Sequence, residues 1–197
     1  GDYTVVGYQQ IQGDQYAALY SETLTVELEN EFLPFLYPNQ YVNFSPDSEA
    51  SKLALSMVSE NTSDIDALKQ IYNYVVNNLS YDYDKAETVE TGYLPDVDET
   101  LSTKTGICFD YAALTTAMLR SCDIPCKLQI GYTGDIKHAW IDVYIRSKGW
   151  VTNAVSFNGD SWSLMDPTFD SSADSDDSEA IQDYIGNADN YTVQFTR

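Results

Sequence analysis

Cys108 stands immediately after Gly106-Ile107 and ahead of a run of small and apolar residues, at the expected first turn of a helix. Unsatisfied backbone N–H groups and the positive end of the helix dipole favour a thiolate there. His138 is the only histidine of the chain and sits in an alternating, strand-like stretch next to Trp140. Asp166 is followed by Pro167, so it ends a strand at a sheet edge or serves as a turn residue. Taken singly, His138 reads as a packed or surface histidine and Asp166 as a turn residue. Together they supply a nucleophile, a base to deprotonate it and a carboxylate to hold the imidazole tautomer, which is what acyl transfer through a thioester requires.

The elements that must bring these residues together can be read from periodicity. Ser45-Pro46 starts a first helix, with Ala50, Leu53, Ala54, Met57 and Val58 on one face. Ser63 caps a second, with Asp66 three residues on and Ile65, Leu68, Ile71, Tyr72, Val75, Val76 and Leu79 at helical spacing. Residues 80–106 show no sustained period and read as a long surface connection. A third helix runs from about Gly106 or Ile107 to Arg120, its Ala112 and Ala113 implying close packing. From Lys127 the period changes to two, with Ala139, Ile141, Val143 and Ile145 alternating with His138, Trp140, Asp142 and Tyr144.

Asn158-Gly159 marks a hairpin between 151–157 and 162–166, and a short helix and a last strand, 191–195, follow an acidic loop at 170–179. Helices first and antiparallel strands after define an α+β domain. Residues 1–44, with one clear alternation at Thr23–Leu28 and an aromatic, proline-containing connector, are expected to form an extension packed on a core of 45–197.

Charge narrows the partners. Ten Lys and Arg against 31 Asp and Glu leave a net charge of −21, which repels phosphate backbones and acidic lipid surfaces, so neither nucleic acid nor an acidic membrane is expected. No apolar run reaches the ~20 residues of a membrane span, and the N-terminus lacks the basic and apolar regions of a signal peptide, an export signal being expected to have been removed. The Lys-poor, Tyr- and Ser-rich composition suits an extracellular or cell-surface protein, and a monomer is expected.

The quoted residues carry a resemblance. Gly106-Ile107-Cys108-Phe109-Asp110-Tyr111-Ala112, Leu119-Arg120-Ser121-Cys122-Asp123-Ile124-Pro125, Gly131-Tyr132, His138-Ala139-Trp140 and Asp166-Pro167-Thr168 occur in the order found in the transglutaminase-like superfamily. With Tyr81-Asp82, the likeness covers about Ser45 to Asp170 and is greatest to the bacterial secreted branch. Residues 1–44 lie outside it. The resemblance implies a papain-like fold, a Cys-bearing helix packed on an antiparallel sheet, and a catalytic triad of Cys108, His138 and Asp166 working without a cofactor.

It further implies a peptide or protein substrate, cell-wall peptides included, and an oxyanion hole built from the Cys108 backbone N–H and a side-chain donor, for which Tyr81 and Tyr83 are candidates. Trp140 is either a cleft residue or core. Two departures stand out. Cys122 replaces the usual small residue before Ile-Pro, and an extra stretch around 151–157 separates His138 from Asp166.

Three other readings compete. Cys108, Cys122, Cys126 and His138 form a Cys3His set suited in type to zinc, although no metal is expected. The acidic loop at 170–179 lacks the glycine of a calcium-binding EF-hand. The same fold could serve as a binding module for protein or glycan, against which the intact triad argues. Among thiol chemistries, peptide or amide hydrolysis by a cysteine peptidase or amidase is favoured over cross-linking. A cross-linker must shield its thioester from water, and nothing in the sequence guarantees the necessary tunnel.

Overall fold

The computed structural model describes residues 1–157, 162–164 and 191–197. It falls into two units, Gly1–Glu31 and Phe32–Arg197. The first is an antiparallel ribbon of β1 (Asp2–Gln12) and β2 (Gln15–Thr25), paired from Asp2↔Thr25 to Gln12↔Gln15. Sequence alternation at Thr23–Leu28 captured only the end of β2. Residues 32–44, expected with the extension, belong to the second unit, where the Tyr37 carbonyl accepts from Arg120 and the Tyr41 ring lies 6.4 Å from that of Phe109.

In the second unit α1 (Glu49–Met57) begins at the cap Ser48. The Ser45-Pro46 start was therefore expected too early: Ser45 closes a turn onto Ser48 instead. Helix α2 (Asp64–Asn78) follows its expected cap, with the Asp66 N–H donating to the Ser63 hydroxyl and that hydroxyl donating to the Asp66 carboxylate. The stretch read as a surface connection contains β3 (Ser80–Tyr81), α3 (Tyr83–Thr88), α4 (Val97–Thr103) and β4 (Thr105–Gly106). Both helices are short and lack a clear apolar period, but each has an aspartate cap, Asp82 and Asp96.

Helix α5 (Cys108–Ser121) is the centre of the unit, with every residue from Asp110 to Arg120 buried. It packs on α1, α2 and α4 on one side and on β5 (Cys126–Thr133) and β6 (Ile136–Ile145) on the other. Ala112, Ala113 and Ala117 make this close two-sided approach possible, and Leu114, Met118 and Leu119 fill the core. With β7 (Gly149–Phe157), β8 (Trp162–Leu164) and β9 (Tyr191–Thr196), the strands form an antiparallel sheet in the order β8-β7-β6-β5-β9. The last strand thus inserts beside β5 rather than extending the meander. The α+β class and the helix-on-sheet arrangement are as expected, whereas the Asn158-Gly159 turn, the 170–179 loop and the helix after it lie outside the described residues.

Candidate active site

The start of α5 is shaped by Asp110, three residues beyond the cap Ile107. Its carboxylate turns back to accept the Ile107 N–H at 2.8 Å, satisfying one of the donors left open by helix geometry. The reversal passes over Gly106, where an added Cβ would stand 2.6 Å from the Asp110 Cβ. The Gly-x-Cys spacing therefore has a steric basis: the residue two before the cysteine must lack a side chain for the aspartate to reach the cap.

Gly106 also belongs to the two-residue parallel pairing of β3 and β4, with Tyr81 opposite it. The Ser80 N–H donates to the Lys104 carbonyl and the Asp82 N–H to the Gly106 carbonyl, both at 2.9 Å. Tyr81 is fixed beside the helix start, and its phenolic oxygen accepts from the Cys108 backbone N–H. On the other side, β6 runs along α5 so that the Ala139 backbone N–H points at the Cys108 sulfur, and His138 is the preceding residue.

Cys108, His138 and Tyr81 line one cavity of about 650 Å³. Its walls include Ile107, Phe109 and Ala139 with Tyr41 and Phe195, while Ala86 and residues 89–94 close another side, and Gln40, Glu90 and Lys137 bring polar groups to it. Burial pushes the Cys108 thiol up, against the backbone hydrogen bonds from Ala139 and Phe109 that favour the thiolate. Burial also lowers His138 to about 4. Both shifts have the same physical cause, burial that disfavours the charged form of each group.

The remaining expected residues are placed differently. Tyr83 is exposed and outside the cavity lining, its ring 4.9 Å from that of Tyr81. Trp140 is 1% exposed and also absent from the lining. It stacks beside His138 at 6.2 Å and meets Tyr191 edge-on at 5.1 Å, so it packs behind the histidine and has no access to a substrate. Asp166 lies outside the described residues.

All three cysteines are free. Cys108 begins and Cys122 caps the end of a 14-residue helix, about 20 Å of rise, which separates the members of the supposed zinc set. Among the described residues, no three of His, Cys, Asp and Glu are grouped to hold a metal ion. Lys85 and Tyr93, which no sequence periodicity singles out, reach the buried Asp110 from the stretch read as a loop. Asp82, capping α3 three residues before Lys85, was the signal available.

Comparison with known proteins gives a consistent result. The family model of the transglutaminase-like superfamily matches residues 51–167. UPF0252 protein MJ1282 of Methanocaldococcus jannaschii is 40% identical over 62 residues, 29% of this chain and 18% of that protein. Protein YebA of Bacillus subtilis is 25% identical over 154 residues, 66% of this chain and 21% of that protein. The chain thus spans about a fifth of the length of these curated relatives. The crystal structure of a candidate cysteine protease from Cytophaga hutchinsonii is similar with a TM-score of 0.49 and 19% identity, over 81% of this chain and 64% of that one.

Proposed function

The chain belongs to the transglutaminase-like superfamily, and from that premise we propose that it is a thiol-dependent acyl-transfer enzyme that cleaves peptide or amide bonds through a thioester on Cys108. One observation carries the reading: Cys108, at the first turn of the central helix, shares a cavity with the only histidine of the chain and with Tyr81.

The thiol proton passes to the imidazole as the sulfur attacks the substrate carbonyl. The C–S bond forms, and the carbonyl electron pair moves to oxygen, to which the Tyr81 hydroxyl donates and the Cys108 N–H turns from the phenolic oxygen it holds at rest. Collapse of this intermediate breaks the C–N bond, and the imidazolium gives its proton to the departing amine. Water, deprotonated by His138, then releases the acid and restores the thiol. Asp166 is assigned the role of holding the imidazole, on the strength of the sequence match alone.

Hydrolysis is the favoured outcome, because a thioester open to water at ~55 M partitions toward the acid unless a dry amine channel intervenes. Transfer to an amine is the second reading, supported by the net charge of −21, which draws cationic amines toward the surface. The same composition supports work outside the cytoplasm on peptide or protein chains, cell-wall peptides included. The test is a peptide carrying a thiol-reactive electrophile, with mass mapping of the adduct, followed by a glutamine peptide offered with a primary-amine probe. Labelling at Cys108 and release of acid faster than amine incorporation are expected. Failure of Cys108→Ala to abolish turnover sinks the reading, and Cys108-dependent amine incorporation as the faster reaction reverses hydrolysis and transfer.

A further inference from the structure

Asp110 is 0% exposed and lies two residues beyond Cys108. A bare carboxylate there opposes the thiolate, and its charge acts to raise the Cys108 thiol. The chain nevertheless keeps it, because the same carboxylate caps the helix that carries the nucleophile. Among the described residues, Lys85 is the cation that meets its charge. Lys85 Nζ lies 2.8 Å from Asp110 Oδ2, 2.7 Å from the Tyr93 hydroxyl and 4.4 Å from the centre of the Tyr93 ring. The Tyr93 hydroxyl in turn donates to Asp110 Oδ1. Lys85 and Tyr93 bracket the segment whose Ala86 and residues 89–94 form one wall of the cavity. The Val89 N–H donates to the Lys85 carbonyl and the Tyr93 N–H to the Glu90 carbonyl, so the segment is folded on itself and joined at both ends to one buried carboxylate.

Resting on the acyl-transfer reading, we propose that Lys85 and Tyr93 are positioning residues that latch the 86–94 wall onto Asp110 and, in the same contact, cancel the negative charge beneath Cys108. The two effects are inseparable in this geometry. When the wall is in place, the ammonium neutralises Asp110 and thiolate formation is least opposed; when the wall lifts, it takes the ammonium with it and the thiol becomes harder to ionise. Nucleophile reactivity is thereby tied to a formed binding cavity, which limits attack on small thiol reagents and on water-exposed encounters. The other titratable groups lining the cavity are His138 and Lys137 on β6, Tyr81 beside the helix start, Tyr41, and Glu90 on the wall itself. None of them touches Asp110 in the manner of Lys85, so the compensation is assigned to that residue.

The experiment is the pH dependence of Cys108 alkylation by iodoacetamide in the full chain, read by mass mapping, with a thermal melt confirming the fold of each variant. Lys85→Met is expected to move the alkylation midpoint upward by about one unit, a roughly tenfold lower rate at a fixed pH below it. Lys85→Arg is expected to keep the wild-type midpoint, and the double change Lys85→Met with Asp110→Asn to return toward it, which a merely structural contact would not do. Tyr93→Phe, which keeps the ring and the ammonium, is expected to raise KM for a peptide substrate several-fold with a smaller midpoint change. This variant decides the matter should Lys85→Met fail to fold. An unchanged midpoint in folded Lys85→Met, no recovery in the double variant, or an unchanged KM in Tyr93→Phe overturns the proposal. His138→Gln separates the two readings: peptide turnover retained in that variant defeats the acyl-transfer assignment, while the effect of Lys85 on alkylation stays measurable.

Discussion

Tyr81 and Gly106 face each other in a two-residue parallel ladder, and this pairing sets the Tyr81 hydroxyl against the backbone N–H of Cys108. Two segments 25 residues apart in sequence are thus joined at the start of the helix that carries Cys108. Burial raises the phenol to about 12, so it stays a hydrogen-bond donor across the physiological range.

Tyr81→Phe keeps the ring and its packing but removes that donor. The expected result is a fall in kcat of about 10²-fold with little change in KM, and a melting temperature close to that of the wild type. Steady-state kinetics on a peptide substrate together with a thermal scan check it. Loss in KM alone would assign Tyr81 to substrate binding.

Thiol reactivity should follow access to the cavity. Cys126 is buried, bonded to Thr116 at 3.5 Å and pushed up to about 12, while burial raises Cys122 to about 11. Burial raises Cys108 too, but of the three it alone lines the cavity, so substoichiometric iodoacetamide at neutral pH is expected to modify Cys108 first. Peptide mapping of the native protein reads the order directly.

The chain has one histidine, so its imidazole can be followed without assignment. A fall from 6.5 to about 4 means that the unfolded chain binds more protons between these values. Stability from this group is complete above pH 6.5 and is lost as the pH falls toward 4, by about 3 kcal/mol at most. Denaturant melts across this range should show the loss, and His138→Gln should flatten it. An NMR titration midpoint near 6.5 for His138 would contradict the expected burial effect.

Gly131 is required by close packing. It pairs with His138 on β6 and Val193 on β9, and a Cβ at this position would stand 2.0 Å from the Thr192 carbonyl oxygen and 3.0 Å from the Trp140 ring. The nearest atom is backbone, which cannot swing aside. Gly131→Ala is expected to cost about 1–3 kcal/mol and to loosen β9 from β5. Thermal melts give the cost, and hydrogen exchange in 191–196 reports the strand.

Arg120 is a buried guanidinium bonded at 2.8–3.0 Å to the carbonyls of nearby Cys126 and of two distant residues, Tyr37 and Arg197. Arg120→Met retains much of the volume and orphans these acceptors, for an expected loss of about 2–4 kcal/mol. Chemical denaturation checks it, with Arg120→Lys expected to recover only part because an ammonium cannot span the three acceptors.

What the sequence by itself determined is local or periodic. Ser63 and Asp66 set the start of α2, the small residues after Cys108 required a tightly packed helix, and alternation from Lys127 to Ile145 laid down β5 and β6. Each follows from interactions within a few residues, so each is written in consecutive positions. The family motifs added Cys108 and His138 as partners, and the structure brings both to one cavity.

Tertiary structure alone decided between Tyr81 and Tyr83, which lie two residues apart with the same side chain: only Tyr81 is held by the ladder with Gly106. It also decided that Trp140 backs the histidine rather than facing the cavity, that β9 returns beside β5, and that Lys85 and Tyr93 converge on Asp110. Those outcomes depend on contacts between segments far apart in the chain, and no periodicity of one segment records which surface of another it will meet.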